Sequence, residues 1–195
     1  MKKIPTLFVR GDDRMVRNEV APGCEWVIDG EGIATVKYDG TACMVLGGML
    51  YKRHRLKAGK PVPDGWLHHD FDSAATSGHG WLPVGDGAED RWHRSALANM
   101  QLGGWSLGAF AGQTFELIGP RVQGNPHGAI GHCLVLHGHD LLGAPRTFEE
   151  LRDFLGDLEE EGVVWHHHDG RMAKLKRRDF GYQWPVIHGD SSDAR

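Results

Sequence analysis

The feature that most restricts the fold is the way glycine punctuates short β-prone runs in the first third of the chain. Gly32-Ile33-Ala34-Thr35-Val36-Lys37 is separated from Cys43-Met44-Val45-Leu46 by Asp39-Gly40. Gly47-Gly48 then turns the second run into Met49-Leu50-Tyr51-Lys52-Arg53. Connections this short join antiparallel strands, because a parallel pair needs a crossover of a dozen residues or more. Thr114 to Ile118 and Cys133 to His137 read as further strands. Gly162-Val163-Val164-Trp165-His166, the Asp169-Gly170 turn signal and Arg171 to Arg178 read as a hairpin. Two helices are expected. Ala88 to Gln101 carries Trp92, Leu97 and Met100 partly on one face. Thr147 with Glu150 has the spacing of a capping box, and Leu151, Phe154, Leu155 and Leu158 recur at helical spacing. Residues 57–87, rich in Pro, Gly, Asp and His, are expected to form a long irregular excursion. Hairpin strands that outnumber helices give an α+β class, with antiparallel sheets flanked by helices.

Composition narrows the function classes. A chain of 195 residues, 40% hydrophobic and 25% charged, suits one domain (expected over 1–187) with a polar tail at 188–195. A net charge of −4 excludes a uniformly basic protein. No apolar run approaches the ~18 residues of a membrane helix, and the apolar stretch near Met1 is too short for a signal peptide. Cys24, Cys43 and Cys133 show no CxxC spacing, so a cysteine zinc site is not expected and a cytoplasmic location is. His166-His167-His168 is expected to be a hairpin arm with mostly exposed imidazoles, since adjacent strand residues point to opposite faces.

The chemistry centres on Lys37-Tyr38-Asp39-Gly40-Thr41. A lysine at a strand end, followed by an acid and a glycine, exposes the amine and lets a ligand approach the backbone. Alone, this is a turn with a surface lysine. It is followed, in order, by Arg53, by Phe115-Glu116-Leu117-Ile118-Gly119, by Glu161-Gly162-Val163-Val164-Trp165 and by Ala173-Lys174-Leu175-Lys176-Arg177. This ordered set, spanning residues 31–178, resembles the motifs of covalent nucleotidyltransferases, the polynucleotide ligases and mRNA-capping enzymes. Ile118-Gly119-Pro120-Arg121-Val122-Gln123-Gly124-Asn125-Pro126 looks like a run found in RNA ligases. The whole layout resembles the small ATP-dependent 5′-to-3′ RNA ligases related to the vertebrate RNA-repair ligase. The resemblance implies a nucleotidyltransferase adenylation domain. Only a short stretch follows Lys176, so no OB-fold is expected.

The resemblance also assigns roles. Lys37 would attack the α-phosphorus of ATP to give a lysyl-AMP. The amine must be neutral to do so, and nearby cations favour that form. Lys174 and Lys176, on one face of a strand, would act with Lys37 as catalytic and nucleotide-binding groups. Asp39 and Glu161 would hold Mg²⁺ or Mn²⁺, largely through water. Glu116 would reach the ribose hydroxyls or the metal waters, and Arg53 the ribose or an incoming 5′-phosphate. The adenine edge would be read by backbone near Val36, Gly40 would allow close approach, and His137 would stack on the base. The expected partner is RNA with a 5′-phosphate and a 3′-hydroxyl, with no membrane and no obligate protein partner. Five Lys/Arg between Tyr51 and Lys60, and five between Arg171 and Arg178, with no acid in either stretch, suit a phosphate backbone. One or two tryptophans would stack RNA bases. Two other readings fit less of this set: a minimal DNA ligase, and a non-sealing nucleotide- or RNA-binding module.

Overall fold

The computed structural model describes residues 3–70 and 77–186, so the expected tail at 188–195 lies outside the described residues. Eleven strands are seen among them: β1 (Phe8–Arg10), β2 (Val16–Val20), β3 (Ile33–Lys37), β4 (Thr41–Leu46), β5 (Met49–Leu56), β6 (Leu67–His68), β7 (Gly78–Pro83), β8 (Thr114–Ile118), β9 (Cys133–Leu136), β10 (Gly162–His166) and β11 (Met172–Lys176). Three α-helices accompany them: α1 (Glu25–Ile28), α2 (Arg91–Leu102) and α3 (Phe148–Asp157). The sheets are antiparallel and the helices few, as an α+β class requires. Among the described residues, no helix is long and apolar enough to cross a membrane. Contacts divide the chain into two compact units, one built on Asp39–His139 and the other on Ile4–Tyr38 with the chain from Asp140 onward.

The second of these units holds a three-stranded sheet in the order β11-β10-β3, together with the β1-β2 pair. Ala34, Val163, Trp165, Ala173 and Leu175 alternate along the three strands. They turn one sheet face into a core with Leu7, Phe8, Val27, Leu151 and Leu155. The stripe of α3 supplies the two leucines, and Thr147 caps that helix, its hydroxyl accepting from the Glu150 N–H. The sequence expectation of a strand through Arg178 is corrected here. β11 stops at Lys176 and a 3₁₀ turn follows from Arg177 to Phe180. The turn carries the Arg177 side chain inward, where the guanidinium donates to the carbonyls of Leu155 (2.6 Å), Gly156 (3.0 Å) and Leu158. These are carbonyls at the end of α3, where no intrahelical donor is left and where a cation suits the helix dipole.

A six-stranded sheet in the order β6-β7-β5-β4-β8-β9 forms the other unit. One face packs Cys43, Val45, Leu50, Phe115 and Leu117 against Ala96 of α2. The opposite face carries Ala42, Met44, Tyr51 and Trp81. The irregular excursion expected over 57–87 is overturned in part, because β7 pairs along β5 from Tyr51 to Leu56. Gly78 and Gly80 hide its alternation. A Cβ at Gly80 would lie 2.2 Å from the Leu67 carbonyl oxygen, so β6 can pair there only with glycine. The helix expected from Ala88 starts as a 3₁₀ turn (Ala88–Asp90) before α2. His167 also departs from expectation: it is buried, with Nε2 2.5 Å from Glu31 and Nδ1 2.7 Å from Asp169. That environment exists because Gly32 and Asp169-Gly170 turn acidic residues back toward the strand end.

Charged hydrogen bonds contribute about 1.5–3 kcal/mol each when their partners are otherwise unsatisfied. Arg177→Met should therefore lower the unfolding free energy by about 3 kcal/mol. Denaturant melts would measure it, and a loss under ~0.5 kcal/mol would show that water replaces the guanidinium.

Candidate active site

β10 runs between β3 and β11, and the register places Gly162 opposite both Lys37 and Lys176. Side chains directly across antiparallel strands share a face. Lys37, Lys176 and, two residues back, Lys174 thus stand on the sheet face away from the Trp165 core. Gly162 has to be glycine, because a Cβ there would sit 2.1 Å from the Leu175 carbonyl oxygen. The residue before it, Glu161, is 2% exposed. Its two carboxylate oxygens are shared out: Oε2 accepts from Lys37 Nζ and Oε1 from Lys176 Nζ. Lys37 Nζ also donates to the Tyr38 carbonyl at 3.3 Å. Lys174 makes no salt bridge among the described residues. Burial, with the Lys176 and Lys37 ammonium groups beside it, pulls its pKa down to about 8.

Sequence reasoning missed the support under this cluster. The Asp179 carboxylate is buried, accepts the Lys176 N–H at 2.9 Å and pairs with Arg10 from β1. Asp179 thereby fixes the backbone that carries Lys176. Its signal was present in Lys176-Arg177-Arg178-Asp179, which has the side chain-to-backbone spacing of a capping box, but a strand reading through Arg178 conceals it. Val36 lies one residue before Lys37, with its N–H given to the Asp140 carbonyl at 2.8 Å. The Tyr38 hydroxyl donates to Asp140 Oδ2 at 2.7 Å.

The unit built on Asp39–His139 holds the remaining expected residues. Gly40 enters β4, and its N–H donates to Glu116 Oε1 at 3.1 Å. A Cβ on Gly40 would approach the Leu117 carbonyl oxygen to 2.1 Å. Glu116 Oε2 is 2.9 Å from His137 Nε2, and His137 Nδ1 is 2.9 Å from Thr114 Oγ1. Both ring nitrogens of His137 are thus engaged, and the ring is held in the plane of those bonds. The Asp39 N–H donates to His127 Nε2 at 2.8 Å, and the Gln123 amide reaches the Gly40 carbonyl at 3.5 Å. Those two residues come from the 118–126 run and just beyond it, where Gln123 and Asn125 adopt positive φ of 49° and 57°. Pairing of Ala42 with Glu116 and of Met44 with Tyr51 puts Glu116, Tyr51 and Arg53 on one sheet face. Arg53 is exposed there and makes no ion pair among the described residues. The basic stretch 51–60 does not act as a block: Lys52 points to the other face and pairs with buried Asp90.

The donor chemistry fits an anionic nucleotide and a hard cation. Two ammonium groups pair with one carboxylate and a third lies near them, an excess of positive charge that a triphosphate would neutralise. Carboxylate oxygens such as those of Glu161 are the ligands Mg²⁺ takes.

Comparison with known proteins gives the family. The family model for RNA ligase 1 matches residues 49–192. RNA ligase 1 of Danio rerio is 29% identical, with 75% of this chain and 54% of that protein covered. The Mus musculus and Rattus norvegicus proteins of the same name are each 30% identical, over 66% of this chain and 45% of theirs. The chain spans about half the length of these relatives. With the model matching most of its residues, the chain belongs to the RNA ligase 1 family.

Proposed function

We propose that this protein is an ATP-dependent RNA ligase that joins a 5′-phosphate to a 3′-hydroxyl through a lysyl-AMP on Lys37, in a nucleotidyltransferase adenylation domain. The observation that carries the reading is Glu161, buried between Lys37 and Lys176 with Lys174 alongside. Family membership and the relatives' name support RNA as the substrate.

In the first transfer, Lys37 Nζ gives up a proton and attacks the α-phosphorus. An N–P bond forms and the P–O bond to pyrophosphate breaks. Glu161, already hydrogen-bonded to the Lys37 ammonium, is placed to take the proton. Lys176 and Lys174 offset the charge that grows on the α-phosphate oxygens. A divalent metal would be held by Glu161 and Asp39 through water and would supply further positive charge to the phosphates. Glu116, fixed by Gly40 and His137, receives the ribose hydroxyls. Arg53 takes a ribose or phosphate oxygen, Val36 backbone the adenine edge, and His137 the base face. An oxygen of the RNA 5′-phosphate then attacks the AMP phosphorus; a P–O–P bond forms, the N–P bond breaks and Lys37 leaves as its amine, taking up a proton. Attack by the 3′-hydroxyl finally forms the phosphodiester and releases AMP.

Intact mass after incubation with ATP should show one added AMP on the wild type and none on Lys37→Ala. Lys176→Ala should slow that addition by ~10²-fold or more. A mass gain on Lys37→Ala would refute the assignment.

Lys174 gives a pH signature. Its folded pKa of about 8 lies below the ordinary lysine value, so the unfolded chain binds more protons between those two pH values. Stability therefore rises with pH through that window as the buried charge is removed. Lys174→Met should be more stable than wild type at neutral pH, and should lack the rise. A wild-type stability that is flat from pH 8 to 10 would contradict it.

Substrate choice is tested by sealing matched breaks that differ only in ribose or deoxyribose on the 3′-hydroxyl side. The ribose strand should be sealed faster, and the rate should fall with salt at a slope of ~0.7 per phosphate contacted. Equal sealing of all-DNA nicks would favour the DNA-ligase reading, and adenylation without any sealing the binding-module reading.

A further inference from the structure

Among the described residues, one group of metal-ligating side chains shares no member with the lysine cluster: His68, His69 and Asp70 at the end of β6. Neighbours along a strand point to opposite faces and do not converge on one ion. Here the strand stops at His68 and the chain bends through His69 and Asp70. The bend is closed by His68 Nδ1, 3.3 Å from the Asp70 carbonyl oxygen; in the tautomer that donates there, the Nε2 lone pair is left for an ion. The bend brings one donor atom from each residue within 4.8 Å of the others. The two imidazole centroids are 4.2 Å apart. His69 is oriented from outside the group, because its Nδ1 donates to the His79 carbonyl of β7 at 3.0 Å. That bond fixes the tautomer and leaves a lone pair on Nε2, which stands 3.5 Å from Asp70 Oδ2. A ring tied by one nitrogen to a backbone carbonyl, with the other turned toward the ion, is how ligating histidines are held.

We propose that His68, His69 and Asp70 form a binding site for a zinc-class divalent transition metal, distinct from the Lys37–Glu161 cluster. Two imidazoles and a carboxylate, with water completing the shell, are a zinc donor set. Nitrogen donors select against Mg²⁺, which takes oxygen ligands. Bonds of ~2.0–2.1 Å in a tetrahedron place donors about 3.3 Å apart, so the partly exposed side chains close in by about 1.5 Å at most. The ion has a structural consequence. The β6–β7 ladder pairs Leu67 with Trp81 and His68 with Gly80, the His69 N–H adds a bond to the His79 carbonyl, and a metal held through His69 further fastens this short edge strand.

The test is zinc titration of the tag-free full chain against a chromophoric chelator, in excess Mg²⁺. Wild type and Lys37→Ala should each take up one tight equivalent, and zinc should raise their melting temperatures. His69→Ala and Asp70→Asn should each bind more than ~10-fold more weakly, beyond the lower end of what losing even an outer partner costs. Unchanged melting of the metal-free variants shows that the loss is not unfolding, and Asp70→Asn decides if His69→Ala misfolds. No stoichiometric uptake by wild type overturns the site. So does full uptake by both variants, or uptake that disappears when His166, His167 and His168 are replaced instead.

Discussion

The second unit's chemistry depends on one carboxylate facing two ammonium groups from two different strands. Glu161 can do this only because Gly162, next along the chain, sits opposite Lys37 on one side and Lys176 on the other. The absence of a side chain at 162 lets the strands close at that level. The register is set elsewhere, by Val163, Trp165, Ala34, Ala173 and Leu175 on the opposite face. A slip of one residue would turn that apolar set outward. Burial of the core therefore fixes the relative placement of the lysines and the acid, without any direct selection by their charges.

Ion pairs taken out of water offer little net stability, since desolvation offsets much of the attraction. Lys174 has no salt bridge among the described residues to offset its own burial, and its depressed pKa records the cost. Local stability is given up for positive charge in excess of the acid available. The unit can recover that energy when an anion arrives. Asp179 then becomes intelligible: it holds the Lys176 backbone and Arg10 rather than a lysine ammonium, so it adds support without cancelling the excess.

Much of this was legible in the sequence where one periodicity governed. The strands around Lys37 and Lys176 alternate apolar and polar residues, and α3 shows both its cap and its stripe. Other parts were hidden for definite reasons. β7 is interrupted by glycines that its neighbours require, so composition imitates a loop. β1 and β2 are short and mostly polar on their exposed side. Arg177 looks like one more strand cation, and only the 3₁₀ turn shows it bound to the carbonyls of α3. Lys52 likewise leaves the basic stretch because alternation sends it to Asp90. Charge runs give the number of cations; pairing decides which way each one faces.

The two acids at the heart of the proposal are held in opposite ways. Glu161 is held by the ammonium ends of two long side chains, which an incoming anion competes for. Glu116 is held by a backbone N–H and an imidazole that is itself anchored on Thr114. Those donors belong to the sheet and do not leave with a ligand. A carboxylate that must exchange partners during phosphoryl chemistry suits the first arrangement. One that must stay put to orient a sugar suits the second. What each acid is bonded to supports the proposed metal and proton work of Glu161 and the proposed ribose positioning by Glu116.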